Sequence, residues 1–188
     1  TLEEILTLLN TVGDVKSDGS VAMDSITIGS RLEDSKVGVN SLSQGYENIA
    51  SGEASRAEGI GNLSATGYAH AKGKYNLASN GTVYSVTNIN NTNKTITLDN
   101  VTNLNVGSKV DIKRANLSAI EDIEITNINN LTITVNTTEI ITASKHVVLR
   151  TTNVNNPAPV YAEGLNNIAS GHQSHVEGSG NVASGNNS

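Results

Sequence analysis

The sequence of 188 residues contains no cysteine, tryptophan or phenylalanine, and aromatic residues make up only 3% of it. The absence of cysteine excludes disulfide bonds and metal sites with cysteine ligands. Conventional domains of this length anchor their cores on large aromatic side chains, so the composition argues against one conventional core. No run of eighteen apolar residues is present, and we therefore expect no insertion into a membrane.

Basic residues are also scarce, with 12 Lys and Arg against 18 Asp and Glu, which gives a net charge of −6. An acidic chain is repelled by nucleic acid and by anionic membrane surfaces. The charge therefore excludes both from the expected partners. Because Ser188 lies within a repeat, we expect the chain to be part of a longer protein.

The most informative feature that is present is a repeat of fourteen residues, which covers 45–81 and returns at 161–185. Three columns of the repeat hold one kind of residue each. The asparagine column contains Asn48, Asn62, Asn76, Asn167 and Asn181; the aliphatic column contains Ile49, Leu63, Leu77, Ile168 and Val182; the alanine column contains Ala57, Ala71, Ala162 and Val176. A fixed period of this kind predicts a stacked architecture.

Short extended runs separated by glycine, or by Thr66 and Asn80 in the position of Gly52, predict two strands and two turns per coil. Left-handed backbone is expected at that position, because glycine and asparagine tolerate it. We predict an all-β fold, a parallel β-roll with coils of fourteen residues. The aliphatic and alanine columns are expected to fill a thin interior. Since burial contributes roughly 25 cal/mol per Å² of apolar surface, such a roll is too thin to be stable alone, and we predict a homotrimer.

The chain divides into four predicted segments: a short helix with coiled-coil spacing at 1–13, roll repeats at 14–81, an inserted β domain at 82–159 and resumed repeats at 160–188. The insert is duplicated, since the sequence of 87–91 returns at 126–130. Alternating β-branched residues predict strands near 83–89, 94–99, 108–113, 122–128, 131–136 and 145–152. We expect a small antiparallel barrel or sandwich that projects sideways from the roll and supplies contact loops.

No arrangement of residues points to catalysis, since no serine lies in a nucleophile elbow and no carboxylate pair recurs. The spacing of His172, His175 and Glu177 fits a metal site poorly. We therefore predict no enzymatic activity, no cofactor and no metal. The variable column that contains Arg56 is expected to point outward. The candidate surface contacts are His70, Tyr84, Tyr161 and His175.

The phrases at 55–59 (Ser-Arg-Ala-Glu-Gly), 69–73 (Ala-His-Ala-Lys-Gly), 161–164 and 174–178, each followed by a run like Asn-x-Ala-Ser-Gly, resemble two related repeats. One is the head repeat of trimeric autotransporter adhesins. The other, which is more similar, is the Ser-His-Ala-Glu-Gly repeat of phage tail fibres and appendage proteins. The resemblance covers about 21–81 and 160–188. It implies a homotrimeric left-handed β-roll on a virion tail or outside a cell, which presents an attachment site for a host cell-surface glycan or protein.

Three classes of function are open, and a structural fibre or receptor-binding module is the first. The alternatives are the head domain of a trimeric autotransporter adhesin or a carbohydrate-binding domain, followed by a polysaccharide-degrading enzyme. Sugar sites usually offer aromatic platforms. The insert contains only Tyr84, with Tyr75 and Tyr161 near its ends, so its aromatic content disfavours sugar binding. Polar recognition by asparagine and threonine stays possible.

Overall fold

The computed structural model describes residues 14–15, 21–22, 25–30, 35–141, 144–150 and 159–188. Every regular element in these ranges is a β-strand, which confirms the all-β class for the described part of the chain. The helix predicted at 1–13 lies outside the described residues. Two short strands, β1 (Asp14–Val15) and β2 (Val21–Ala22), pair antiparallel.

From Ser25 the chain forms stacked coils, in which long strands pair with long strands and short strands with short ones. These strands are β3 (Ser25–Gly29), β4 (Ser41–Tyr46), β5 (Ile49–Ala50), β6 (Arg56–Ile60), β7 (Leu63–Ser64), β8 (His70–Lys74) and β9 (Leu77–Ala78). The pairing is parallel and sets equal columns side by side, with Ala57 opposite Ala71 and Gly59 opposite Gly73. The predicted parallel coils of fourteen residues are confirmed.

Six antiparallel strands then close on themselves as a barrel, in the order β10-β11-β14-β13-β12-β15. They are β10 (Gly81–Asn90), β11 (Thr95–Leu98), β12 (Lys109–Arg114), β13 (Ile120–Asn129), β14 (Thr132–Val135) and β15 (Ser144–Arg150). The sequence duplication corresponds to the hairpins β10–β11 and β13–β14. Each hairpin has a register shift at the equivalent place, before Asn88 and before Asn127. Buried side chains such as Tyr84, Ile96 and Ile133 fill the barrel.

The roll resumes after the barrel with β16 (Tyr161–Leu165), β17 (Ile168–Ala169), β18 (His175–Ser179) and β19 (Val182–Ala183). It returns in phase, because β16 pairs with β8 and β17 with β9 in parallel register. Ala162 therefore lies opposite Ala71, and Ile168 opposite Leu77. The long strands form one sheet in the order β18-β16-β8-β6-β4-β3, and the short strands form another in the order β19-β17-β9-β7-β5.

The two apolar columns do not share one interior. Neighbouring residues of a strand point to opposite faces, and on β9 Leu77 and Ala78 belong to different apolar clusters. The alanine side chains, with Val176, pack together inside the coils. The aliphatic side chains Ile49, Leu63, Leu77 and Ile168 point away from that interior. The prediction of one thin interior lined by both columns is therefore wrong.

The barrel covers the aliphatic column. Val83, Ala119 and Val148 of the barrel segment lie in the same cluster as that column. A buried hydrogen bond of 2.8 Å from the Ser79 hydroxyl to the Asp111 carboxylate joins the roll to β12. The insert therefore packs against the roll, because apolar side chains on the short-strand sheet need a cover and the barrel supplies it.

Glycine is needed wherever coils approach each other most closely. The glycine of each long strand has φ between +104° and +118°, and a Cβ on Gly59 would lie 2.0 Å from the carbonyl oxygen of Gly73. Thr66, in contrast, has no positive φ, so the prediction of left-handed backbone at its position is wrong. The left-handed turn residue comes two positions later, at Ala54 and Tyr68.

Candidate binding surface

Four side chains at equivalent positions of successive coils line the outer face of the long-strand sheet. We call Arg56, His70, Tyr161 and His175 the outer ladder. On β6 Arg56 is exposed and Ala57 is buried, so the ladder points away from the coil interior. The rings of His70 and Tyr161 are 4.6 Å apart and those of Tyr161 and His175 are 4.7 Å apart, both edge to face. The ladder is therefore a continuous row of rings that ends in a guanidinium.

A second column, two residues further along each strand, holds charged partners of the outer ladder. It consists of Glu58, Lys72, Glu163 and Glu177 and we call it the charged column. The close contacts are Arg56 to Glu58 (2.6 Å), His70 to Glu58 (3.3 Å), Lys72 to Glu163 (2.9 Å), the Tyr161 hydroxyl to Glu163 (3.0 Å) and His175 to Glu177 (3.1 Å). Each ladder side chain is thus held by a carboxylate, and the surface is preorganised.

These contacts shift the protonation of the carboxylates. The hydrogen bond from Arg56, supported by one from His70, holds the pKa of the Glu58 carboxyl below its ordinary value. The Lys72 ammonium and the Tyr161 hydroxyl lower the pKa of Glu163 in the same way. Near neutral pH Glu58 and Glu163 are therefore ionised, and they accept hydrogen bonds.

An open groove of about 430 Å³ adjoins the ladder. Tyr68, Pro159, Tyr161, His175 and Glu177 are among the residues that line it. Tyr68 is half exposed and stands on a left-handed turn with φ of +59°. The groove combines flat aromatic rings with a carboxylate that can accept hydrogen bonds from hydroxyl groups. This is a combination suited to a ligand that has both apolar faces and hydroxyls.

A ladder of buried asparagines fixes the coils beneath this surface. The Asn62 side chain donates to the carbonyl oxygens of Glu58 (2.7 Å) and Gly73 (2.9 Å), while its own oxygen accepts from the Asn76 backbone amide (2.9 Å). Asn48, Asn76 and Asn167 repeat the pattern. Since buried polar groups need partners, one asparagine per coil satisfies backbone groups at the turn that no strand pairing reaches.

The structure places the predicted core residues as follows. Val182 is 41% exposed, and the others are buried, namely Ile49, Ala57, Leu63, Ala71, Leu77, Ala162, Ile168 and Val176. Of the predicted surface contacts, His70, Tyr161 and His175 come together in the outer ladder. Tyr84 does not join them, because it is fully buried in the barrel and its hydroxyl donates to the Thr102 carbonyl oxygen at 2.6 Å. Its proposed surface role is therefore wrong.

Sequence reasoning did not single out Tyr68 as a groove residue. The signal was its spacing, since Tyr68, Pro159 and Gln173 occupy one position of the repeat and all three line the groove. A tyrosine at a turn position is easily overlooked beside a glycine-based repeat. Its left-handed φ is uncommon for a bulky residue, because the side chain crowds the backbone.

Within the described ranges, no helix is long and apolar enough to cross a membrane. The same ranges contain no group of three or more His, Asp or Glu residues that could hold a metal ion. Comparison with protein-family models, with curated protein sequences and with solved structures finds no match. The structure itself shows a β-solenoid of stacked coils, with ordered polar and aromatic side chains on its outer face.

Proposed function

We propose that this chain is a rigid fibre or receptor-binding module of a phage tail or phage-like particle, which attaches to a host cell surface and performs no catalysis. The outer ladder with the adjoining groove carries the proposal. Rings, cations and carboxylates are held there in one row over a scaffold that is fixed by the buried asparagines. Binding residues are commonly presented on rigid scaffolds of this kind.

The test is a binding experiment on host cells and on a glycan array. Replacing Tyr68 or Tyr161 by alanine removes a ring from the groove, and we expect at least a tenfold loss of binding. The matched control is Val106→Ala, which alters an exposed side chain on a barrel loop. Unchanged binding by both tyrosine variants, with a folded chain, would contradict the assignment of this surface.

We further propose that the functional particle is a homotrimer. The proposal rests on one column at the end of the long strands, in which Tyr46, Ile60 and Leu165 are exposed and Lys74 lies between the last two. Exposed apolar patches mark surfaces for association. Sedimentation of the wild-type chain should give a trimer. The Ile60→Asp variant should dissociate, because association would bury an unpaired charge. A folded monomeric wild-type chain refutes the trimer.

The second candidate is a carbohydrate-binding domain or the head domain of a trimeric autotransporter adhesin. The observation in its favour is the groove itself, where Tyr68, Tyr161 and Glu177 offer two rings and a carboxylate. The glycan array separates the candidates. Tight binding to one defined glycan supports the carbohydrate-binding domain, whereas binding to cells that survives removal of their glycans supports a protein receptor.

A further inference from the structure

A second concave site lies where the barrel meets the roll. This junction cavity has a volume of about 250 Å³. Lys113, Arg114 and His146 line it from the barrel, and Asn166 and Ile168 line it from the roll. It shares no lining residue with the groove beside the outer ladder. The junction cavity is therefore a separate feature of the molecule.

Two neighbouring cations of β12, Lys113 and Arg114, line this cavity. The pairing of β12 with β15 shifts register between Lys113 and Arg114. The extra residue lies on β15, because Lys113 is opposite His146 and Arg114 is opposite Ser144. Alternation along a regular strand pair would send neighbouring side chains to opposite faces, and a bulge disrupts that regular pairing. His146 lies directly opposite Lys113 on β15. Lys113, Arg114 and His146 thus line one space where the pairing of the two strands is irregular.

The positive charge of Lys113 is not balanced within the described residues. Its ammonium donates to the Arg114 carbonyl oxygen at 2.5 Å and to the Asn166 side-chain oxygen at 3.3 Å. The described carboxylates form no ion pair with it, whereas Arg114 contacts Glu139 at 3.4 Å. Burial, with the nearby Arg114, lowers the pKa of Lys113 to about 8, so near pH 7 it is still mostly charged. A buried charge without a counter-ion is costly.

We propose that the junction cavity binds a singly charged, carboxylate-bearing ligand of monosaccharide size, that is, a sugar of the uronic-acid class. The single unbalanced cation matches one carboxylate. A bare ion is far smaller than the cavity, whereas a hexose ring suits its volume. Asn116 and Ser179 can bond hydroxyl groups, and Ile168 with Val182 gives an apolar wall for one ring face. This site goes beyond the proposed attachment surface and does not depend on it.

Isothermal titration of the full chain with D-glucuronate, D-glucose and inorganic phosphate at pH 7 tests the proposal. Glucuronate should bind at least tenfold more tightly than glucose, which lacks the carboxylate, and tenfold more tightly than phosphate. Equal binding of glucose and glucuronate overturns the role of the charge. Tighter binding of phosphate overturns the carboxylate assignment, and a lack of glucuronate binding at 50 mM, roughly the weakest affinity of use, overturns the site.

Two variants locate the binding. Lys113→Gln keeps a hydrogen-bond donor but removes the charge, so glucuronate binding should fall at least tenfold. The matched control is Lys109→Gln on the same strand, where Lys109 is paired with Glu124 and should leave binding unchanged. Ser179→Glu places a competing carboxylate in the cavity from the roll, and it should abolish binding without loss of stability. Wild-type affinity in either cavity variant overturns the proposal.

Discussion

The asparagine column offers the sharpest test of what holds the coils together. Asn62 lies in the middle of the stack, between Asn48 and Asn76, and its side chain is completely buried. We consider the replacement Asn62→Ala. The change leaves the strand pairing and the alanine interior intact, so its effect isolates the polar ladder from the apolar packing.

The magnitude follows from the groups that lose a partner. Without the Asn62 side chain, the carbonyl oxygens of Glu58 and Gly73 lose a donor and the Asn76 amide loses an acceptor. A buried group left without a hydrogen bond costs about 1 to 3 kcal/mol. The three effects overlap because the same turn relaxes around all of them, so we expect a loss of about 3 to 5 kcal/mol.

Urea denaturation at a fixed protein concentration measures the loss, with an unchanged m-value as the check on two-state behaviour. Asn181→Ala is the matched control, because the Asn181 side chain donates to the Glu177 carbonyl oxygen at an exposed site. We expect the control to cost less than about 1 kcal/mol. If Asn62→Ala cost no more than Asn181→Ala, the buried ladder would not be what secures the coils.

Three further predictions concern packing and charge. Leu63→Ala should cost about 2 to 5 kcal/mol in urea denaturation, because Leu63 is fully buried between roll and barrel; a loss below about 1 kcal/mol would mean that the barrel does not cover it. The pKa of Glu58 is lowered, so its pairing with Arg56 stabilises the fold above about pH 4.5. This stabilisation is lost as the pH falls through the lowered pKa. Arg56→Gln should therefore flatten the acid dependence of the melting temperature. The pKa of Lys113 is lowered to about 8, so the charge of Lys113 destabilises the fold fully below pH 8 and progressively less towards pH 10.5. Lys113→Met should therefore raise the free energy of unfolding by about 2 kcal/mol at pH 7. A gain in stability that did not shrink by pH 10.5 would argue against a charge effect.

The coil spacing could be predicted because parallel stacking sets each residue beside its own equivalent. A column such as that of Asn48 is therefore visible in the sequence without knowledge of the fold. The strands of the insert were also predictable, because β-branched residues alternate with polar ones along them. Both features are local or strictly periodic. The in-phase return of the roll follows from the same periodicity. Asn167 lies beside Asn76, and its backbone amide donates to the Asn76 side-chain oxygen.

The direction in which each column points could not be predicted from the period. Alternation makes Leu77 and Ala78 face opposite sides, but only the turns decide which side is the interior. The cover on the aliphatic column comes from residues far away in sequence, such as Val148. Tyr84 was misplaced for a related reason, because a lone tyrosine in a strand fits a barrel core as well as a surface. Long-range packing decided each case.

The outer ladder is the part of the repeat that the fold leaves free to vary. The buried asparagine, the close-packed glycine and the interior alanine recur because each is constrained by contact with the next coil. Arg56, His70, Tyr161 and His175 occupy one strand position and are nevertheless three different residue types. Surface substitutions away from such constraints typically change stability by about 0.5 kcal/mol or less. A solenoid of this kind can therefore change the chemistry of one face while it keeps its backbone, which is why we propose attachment at that face.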